Sequence, residues 1–299
     1  MKKLGLLLNV FFVFSLSSCA QNTAEDFDTS KLLERLETLS SDTFEGRRTG
    51  EKGNDLARAY IIKQFQSINA KGLNGKYEYP FSFESRGDTI NAKNILVEIK
   101  GTEFPDKFIV ISAHHDHLGI RDGKIYNGAD DDASGVAALL SFAEYITKNP
   151  PKHSVILAAF DAEEMGLQGA KDFVKTFDAS KVVVNLNMDM ISRSSENELY
   201  VVGARYNDQL KAIITAFENP TESKFLEGHD GTDGKDDWTM ASDHGPFHKA
   251  GIPFLYFGNE DHADYHRPED DFKDITPKFY INSVKMILSV FKSIDTSGL

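Results

Sequence analysis

The sequence predicts an α/β protein: a single domain with a mostly parallel, mixed central β-sheet flanked by helices on both faces. Three observations predict it. Residues 108–111, 154–160 and 182–188 are short apolar runs rich in Val, Ile and Ala, the pattern of strands buried on both faces. Segments with helical spacing alternate with these runs, the order that builds parallel sheets. No Pro/Gly/Ser-rich linker, repeat or low-complexity tract divides the chain, and 299 residues at 40% hydrophobic content suffice for one sizeable core.

The chain opens with a leader. Lys2 and Lys3 form a basic start, residues 4–14 an apolar stretch too short to span a bilayer. Leu16-Ser17-Ser18-Cys19 resembles the lipobox of bacterial lipoproteins. That resemblance implies that residues 1–18 are a cleaved lipoprotein signal peptide and that Cys19 carries a lipid anchor. It also implies a place in the bacterial cell envelope, on the periplasmic or cell-surface side, with the anchor as the only membrane contact. Cys19 is the only cysteine, so no intramolecular disulfide is available. Residues 19–28 read as a polar tether and 29–299 as the folded domain.

A helix capped by Asp28-Thr29-Ser30 runs to about Leu39, with Leu32, Leu33, Leu36 and Leu39 on one face. A turn-rich loop follows over 40–50, then a helix over about 53–69. Residues 77–85 and 92–99 read as antiparallel strands near the sheet edge. The run 108–111 is the central strand, and the Ala/Leu-rich segment 133–145 the helix after it. The strand over 154–160 leads to a helix over 168–176, and 182–188 forms a third buried strand. Residues 199–202 are a fourth strand, followed by a helix over 208–217 and a loop over 228–237. A short helix over 243–250, a last strand over 252–257 and a long amphipathic helix over 277–294 close the chain.

Polar clusters fall just beyond these strands: His114, the aspartates 130–132, Glu163 with Glu164, Asp189, and finally His262 and His266. In open α/β sheets the carboxyl ends of the strands form the ligand crevice, so helical crossovers bring these clusters together. Imidazoles and carboxylates in that combination are ligands for zinc-like ions and leave an open coordination position for water. Asp116, two residues after His114, would share its face on a strand and orient its imidazole. Asp130 and Asp132 are candidates for capping the following helix. His115 and His117 read as surface or pocket-wall residues. His244 and His248 imitate a zinc-binding H-E-x-x-H but lack its glutamate. Asp230, Asp233, Asp236 and Asp237 lack calcium-loop spacing and read as solvated.

The segments 113–116, 128–135, 161–167, 187–190, 242–244 and 265–268 together resemble the bacterial co-catalytic di-zinc aminopeptidases, relatives of glutamate carboxypeptidase and the glutaminyl cyclases. The resemblance covers about 39–274. It implies a zinc aminopeptidase/phosphorylase-hydrolase-like fold and two zinc ions per chain. Asp131 would bridge them, His114 and Asp189 would complete one site, and Glu164 and His266 the other. It further implies Glu163 as general base and a non-proline cis peptide at Asp131–Asp132. Some relatives carry an oxyanion-holding tyrosine before Ser-Asp-His; here that stretch is Trp238-Thr239-Met240-Ala241, and Tyr265 is the alternative. The implied activity is exopeptidase cleavage of peptides with a free N-terminus. A glutaminyl cyclase-like acyltransferase and a non-catalytic binding module of the same fold are the rival readings. A net charge of −13 without a Lys/Arg cluster argues against nucleic acid. The sequence leaves oligomeric state and residue preference open.

Overall fold

The computed structural model describes residues 26–299, so the leader and Cys19 lie outside the described residues. Its centre is a mixed nine-stranded sheet. The order is β1 (Lys71–Gly72), β3 (Asp88–Ile99), β7 (His153–Phe160), β4 (Phe104–His114), β8 (Val182–Met188), β11 (Phe254–Gly258), β9 (Glu198–Val202) and β10 (Lys224–Glu227). Strand β2 (Glu78–Ser85) pairs with β3 in an antiparallel hairpin. Strands β7, β4, β8 and β11 are mutually parallel. The flanking pairs β3–β7 and β9–β11 are antiparallel. The connections from β4 lead to β7 on one side and then back across to β8 on the other. That reversal opens a crevice outside the carboxyl ends of β4 and β8.

Among the described residues seven α-helices cover the sheet: α1 (Thr29–Leu39), α2 (Lys52–Ser67), α3 (Ser134–Lys148), α4 (Gln168–Thr176), α5 (Asp208–Thr215), α6 (His244–Lys249) and α7 (Pro277–Ser297). Strand alternation decides which core each residue enters. Ile109, Ile111 and Ala113 of β4 and Val155, Leu157 and Ala159 of β7 pack with α1, α2, α3 and α7. Phe108, Val110, Ile156, Ala158 and Phe160 face the other way, toward Phe173 of α4 and Phe247 of α6. Both faces are therefore dry, and each buried aliphatic side chain contributes roughly 1.5–3 kcal/mol.

The expected elements are present with small shifts at their ends, and the structure adds four short strands. These are β1, the edge strand β10, and a separate hairpin of β5 (Gly119–Arg121) with β6 (Lys124–Tyr126). Strands of two to four residues with exposed positions carry no apolar run to announce them. The segment 19–28 also differs from a tether at its end: Asp28 caps α1, Phe27 is buried, and Asp26 pairs with Lys292 at 2.7 Å. Among the described residues no helix is long and apolar enough to cross a membrane.

The turn-rich loop after α1 is fastened by one side chain. Arg47 is fully buried and donates to the carbonyls of Leu39, His115, Asn127 and Gly128. It thereby joins the end of α1 to both loops that lead into the crevice. Burial lowers the Arg47 pKa, while Asp131, Asp132, Asp270 and Asp116 act to raise it. Gly46, in the left-handed region at φ 67°, lets the turn approach the hairpin; a Cβ there would lie 2.4 Å from the Tyr126 carbonyl oxygen. Arg47→Met would leave four carbonyls without their donor, a loss of about 3 kcal/mol or more. Arg47→Lys should recover only part of it, because one ammonium cannot span the same acceptors. Urea unfolding of both variants checks this, and a wild-type midpoint for Arg47→Met would refute it.

Candidate metal centre

Four parallel strand ends and one loop supply the centre. His114 is the last residue of β4, and Asp189 follows β8. Asp131 lies in a tight turn, Ala129–Ala133, that leads into α3; Glu163 and Glu164 lie in the turn after β7; His266 comes from the loop after β11. His114 Nε2 stands 3.1 Å from Asp131 Oδ1 and 3.5 Å from Asp189 Oδ1. His266 Nε2 stands 3.3 Å from Asp131 Oδ2 and 3.5 Å from Glu164 Oε2. All five expected ligands thus converge, and the two oxygens of Asp131 face different groups, which is the geometry of a bridge.

The neighbouring carboxylates hold this arrangement in place. Asp270 accepts the backbone N–H groups of Asp130 and Asp131. Asp132 accepts the N–H of Gly135 at 2.9 Å, capping α3, and that of His114 at 3.1 Å, which ties β4 to the helix. Asp130 does not cap the helix. It accepts from Ser192 and Asn259, and His262 Nε2 lies 3.4 Å from it rather than in the centre. The Asp131–Asp132 peptide is cis.

Two expectations need correction, and one needs an addition. Strand β4 ends at His114, so Asp116 does not act by sharing a strand face. The Asp116 backbone carbonyl accepts from His114 Nδ1 at 3.1 Å, and its carboxylate stands 3.7 Å from that nitrogen. The carboxylate instead accepts the N–H groups of Glu163 at 3.0 Å and Glu164 at 3.3 Å. Asp116 therefore orients the imidazole with its main chain and the glutamate turn with its side chain. His115 is fully buried beside Asp161, not on a surface. His117 is buried too, with Nδ1 2.8 Å from Glu164 Oε1 and 3.7 Å from Asp131 Oδ2.

His117 does line a cavity wall, and it is also a candidate ligand that the sequence reading did not include. The donor atoms of His114, Asp131 and Asp189 lie within 4.8 Å of one another, and so do those of His117, Asp131 and Glu164. His114 Nε2, His117 Nδ1 and Glu164 Oε1 are buried and have no partner in hydrogen-bonding geometry. Close donor atoms that do not bond to each other but aim at a common point are what a coordinated dication requires. Three imidazoles among the carboxylates suit a zinc-like ion better than calcium or magnesium. The sequence offered only a third imidazole three residues after His114, just past the end of a buried strand, with no periodicity to aim it.

Electrostatics separate the roles. Burial alone would lower the His114 pKa, but Asp189, Glu163, Asp116 and Asp131 raise it well above the ordinary imidazole value. Burial would raise Asp131, yet His117, His114 and His266 hold it well below the usual carboxylate range. Burial pushes Glu163 well up, with Asp189, Asp243 and Glu164 adding to the shift against His114. Asp243 is buried with both oxygens unpartnered and is pushed up to about 8, first by burial.

A cavity of about 380 Å³ opens onto the centre, lined by Asp131, Glu163, Glu164, Asp189, Asp261, Tyr265 and His266 on its polar side. Leu167, Met190, Trp238, Met240 and Tyr256 line the rest. Tyr265 stacks on His266 with ring centroids 3.9 Å apart, while the Tyr256 hydroxyl is committed to the Asp189 carbonyl. His244 and His248 lie on α6 away from the centre, and His244 Nε2 bonds to the Trp238 carbonyl. The loop aspartates 230, 233 and 237 cap local turns.

Comparison with known proteins gives a consistent set. The model of peptidase family M28 matches residues 94–291. A probable zinc metalloprotease of Phaeosphaeria nodorum is 31% identical over 186 residues, 54% of this chain and 36% of that protein. The aminopeptidase YwaD of Bacillus subtilis is 29% identical over 188 residues, 59% of this chain and 38% of that protein. The chain thus spans well under half the length of these curated relatives. An aminopeptidase structure from Aneurinibacillus sp. strain AM-1 superposes with TM-score 0.72 at 16% identity, covering 90% of this chain and 94% of that one. The glutaminyl cyclase of Porphyromonas gingivalis gives 0.70 at 17% identity, covering 92% and 100%.

Asp189, Glu163, Asp116 and Asp131 favour the protonated form of His114, so a metal that binds here competes with a proton for its Nε2. Zinc affinity should therefore fall as the pH is lowered from about 7 to about 5, and loading near pH 7 should release protons. Calorimetric titration in two buffers of different ionisation enthalpy measures both. An affinity that does not change with pH would remove His114 from the ligand set.

Proposed function

Because the chain belongs to peptidase family M28, we propose that it is a zinc-dependent aminopeptidase that releases N-terminal residues from peptides. The observation that carries the reading is the charge of the reaction cavity. Its lining has no lysine or arginine, and beyond the carboxylates assigned to the metals it keeps Glu163 and Asp261. Such a cavity attracts the α-ammonium of a peptide and repels a C-terminal carboxylate, so the exposed end it selects is the amino end.

His114, Asp131 and Asp189 would hold one zinc ion, and Asp131, Glu164 and His266 the second, with His117 within reach of the latter. Bound zinc supplies Lewis-acid polarisation of the scissile carbonyl and a lowered pKa for water. The protein's own groups do the rest. Glu163, on the cavity wall with a raised pKa, takes the proton as the water oxygen bonds to the carbonyl carbon. It returns that proton to the amine nitrogen as the C–N bond breaks. Asp116 fixes the turn that aims Glu163, through its bond to the Glu163 N–H. Tyr265, in the same lining, is the residue we assign to donate a hydroxyl to the carbonyl oxygen. The apolar wall of Leu167, Met190, Trp238 and Met240 receives the N-terminal side chain.

A cyclase reading has one supporting observation, the fold shared with the Porphyromonas gingivalis enzyme. Cyclisation turns the substrate's own amine onto its side-chain carbonyl and needs no activated water. The complete His114–Asp131–Asp189 group and Glu163 favour hydrolysis, and the same completeness argues against a binding module without chemistry.

We further propose that Cys19 anchors the mature protein in the bacterial envelope by a lipid, on the strength of the lipobox-like Leu16–Cys19 sequence. Cys19→Ser should move the protein out of the membrane fraction or leave it unprocessed. Unchanged fractionation and lipid labelling would refute the anchor.

Matched Leu- and Gln-initiated peptides, free or N-acetylated, test the activity by mass spectrometry. Free leucine and glutamine should appear, the acetylated peptides should stay intact, and elemental analysis should find about two zinc ions per chain. Ammonia loss without shortening of the Gln-peptide would instead indicate the cyclase. Glu163→Gln should retain the metal and lower turnover by about two to four orders of magnitude.

A further inference from the structure

We propose that a second cavity, adjoining the reaction cavity at Glu164, binds a carboxylate on the leaving portion of the substrate. The preferred substrates would then be short peptides with a carboxylate close behind the scissile bond. The inference rests on the aminopeptidase reading and names its substrate class.

The second cavity holds about 660 Å³, within the range of small-ligand sites. Glu164 lines both cavities, so the two adjoin at that residue, and in this proposal a chain bound across the centre extends from the first toward the second. The two differ in sign. Three arginines, Arg48, Arg86 and Arg121, line the second, in a protein whose net charge is −13. Of the carboxylates in its lining, Asp116 is bound to backbone N–H groups and Glu164 belongs to the metal centre, which leaves only Asp88 at the exposed rim.

Two of the guanidinium groups are built into place. Arg48 Nη1 approaches the Leu118 carbonyl oxygen at 3.5 Å, and Arg121 Nε approaches the same oxygen at 3.3 Å. Two cations sharing one acceptor are neighbours, and their repulsion is relieved by an anion between them. The stem of Arg48 fits because residue 119 is glycine: a Cβ there would lie 2.6 Å from Arg48 Cβ. Arg121 lies over the Tyr126 ring at 5.5 Å. Arg48 has a partial partner in Glu51 at 3.3 Å, whereas Arg86, at the tip of the β2–β3 hairpin, has no ion pair among the described residues. Guanidinium groups match carboxylates in shape as well as charge.

A short unblocked peptide is a zwitterion, with an ammonium at one end and a carboxylate at the other. The acidic cavity and the arginine cavity meet at Glu164 in the same polarity. The carboxylate can be the peptide's own C-terminus or an acidic side chain just after the scissile bond, and the two sources are separable by substrate.

The test compares kcat/KM of the zinc-loaded protein for Leu-Gly-Gly with its C-terminal amide, and for Leu-Asp-Gly-amide with Leu-Asn-Gly-amide. At least one carboxylate-bearing member should be preferred by about tenfold or more, mainly through KM. Which pair shows the preference identifies the source. In Arg48→Gln and Arg121→Gln the ratio within that pair should fall toward one, with Arg121→Lys retaining part of it. Cleavage of all four peptides at similar rates would overturn the carboxylate site and leave the aminopeptidase reading standing. Cleavage of none would overturn both.

Discussion

Burying many carboxylates at one edge of a sheet is the constraint around which this structure is arranged. Asp116, Asp130, Asp131, Asp132, Asp161, Asp189, Asp243 and Asp270 are all buried there, with Glu163 and Glu164 beside them. An unpaired buried charge is costly, so each must be compensated or neutralised. One set is compensated by the main chain. Asp116, Asp130, Asp132, Asp161 and Asp270 accept backbone N–H groups and tie strand ends, turns and helix starts together. The side chains of Asp131, Asp189 and Glu164 accept no such donors and face imidazoles instead. The division between scaffold and ligand is therefore visible in which hydrogen bonds each carboxylate makes. Asp243 fits neither set, and its unpartnered burial favours the neutral acid.

The same sorting explains how much was legible in the sequence. His114, Glu164 and Asp189 stood out because they fall at or just past apolar strands, and parallel topology carries such positions to one edge. The full five-ligand set, with Asp131 as bridge and His266, was legible only through the resemblance of the ordered motifs. His117 was not, because its role depends on how the chain turns after β4 rather than on strand alternation. Once the strand stops at His114, the loop bends so that His117 reaches the second ligand group and the Asp116 carboxylate reaches the glutamate turn. No periodicity encodes that bend. It is held by Arg47, 68 positions before His115 in the middle of a polar turn, and four backbone carbonyls are a partner set that no motif announces.

For the fold, the two-sided burial of β4, β7 and β8 and the helices between them followed from composition, since uninterrupted apolar runs have few other stable arrangements. The elements left unread are short and depend on tertiary partners. Strand β10 forms because β9 offers it a parallel edge, and the β5–β6 hairpin because the turn at Gly46 packs against it. The hairpin matters beyond its size, since it carries Arg121 and supports Arg48.

The two ligand groups also differ in how they are supported, which bears on how the centre works. His114, Asp131 and Asp189 are buried at strand ends and at the head of α3, where the packed sheet fixes them. The second group draws on loops: Glu164 from the turn after β7 and His266 from the segment after β11, with the His266 side chain 42% exposed. Both cavities border this second group at Glu164, and Tyr265 stacks against its exposed histidine. The first group is thus fixed by the packed sheet, whereas side chains of the second also line the two cavities. His117, buried behind Glu164 and Asp131, gives that looser group its one imidazole supplied from inside the core. A site with an exposed loop ligand needs such an anchor to keep its geometry while substrates pass, and the chain provides it from the residue next to the one that holds the glutamate turn.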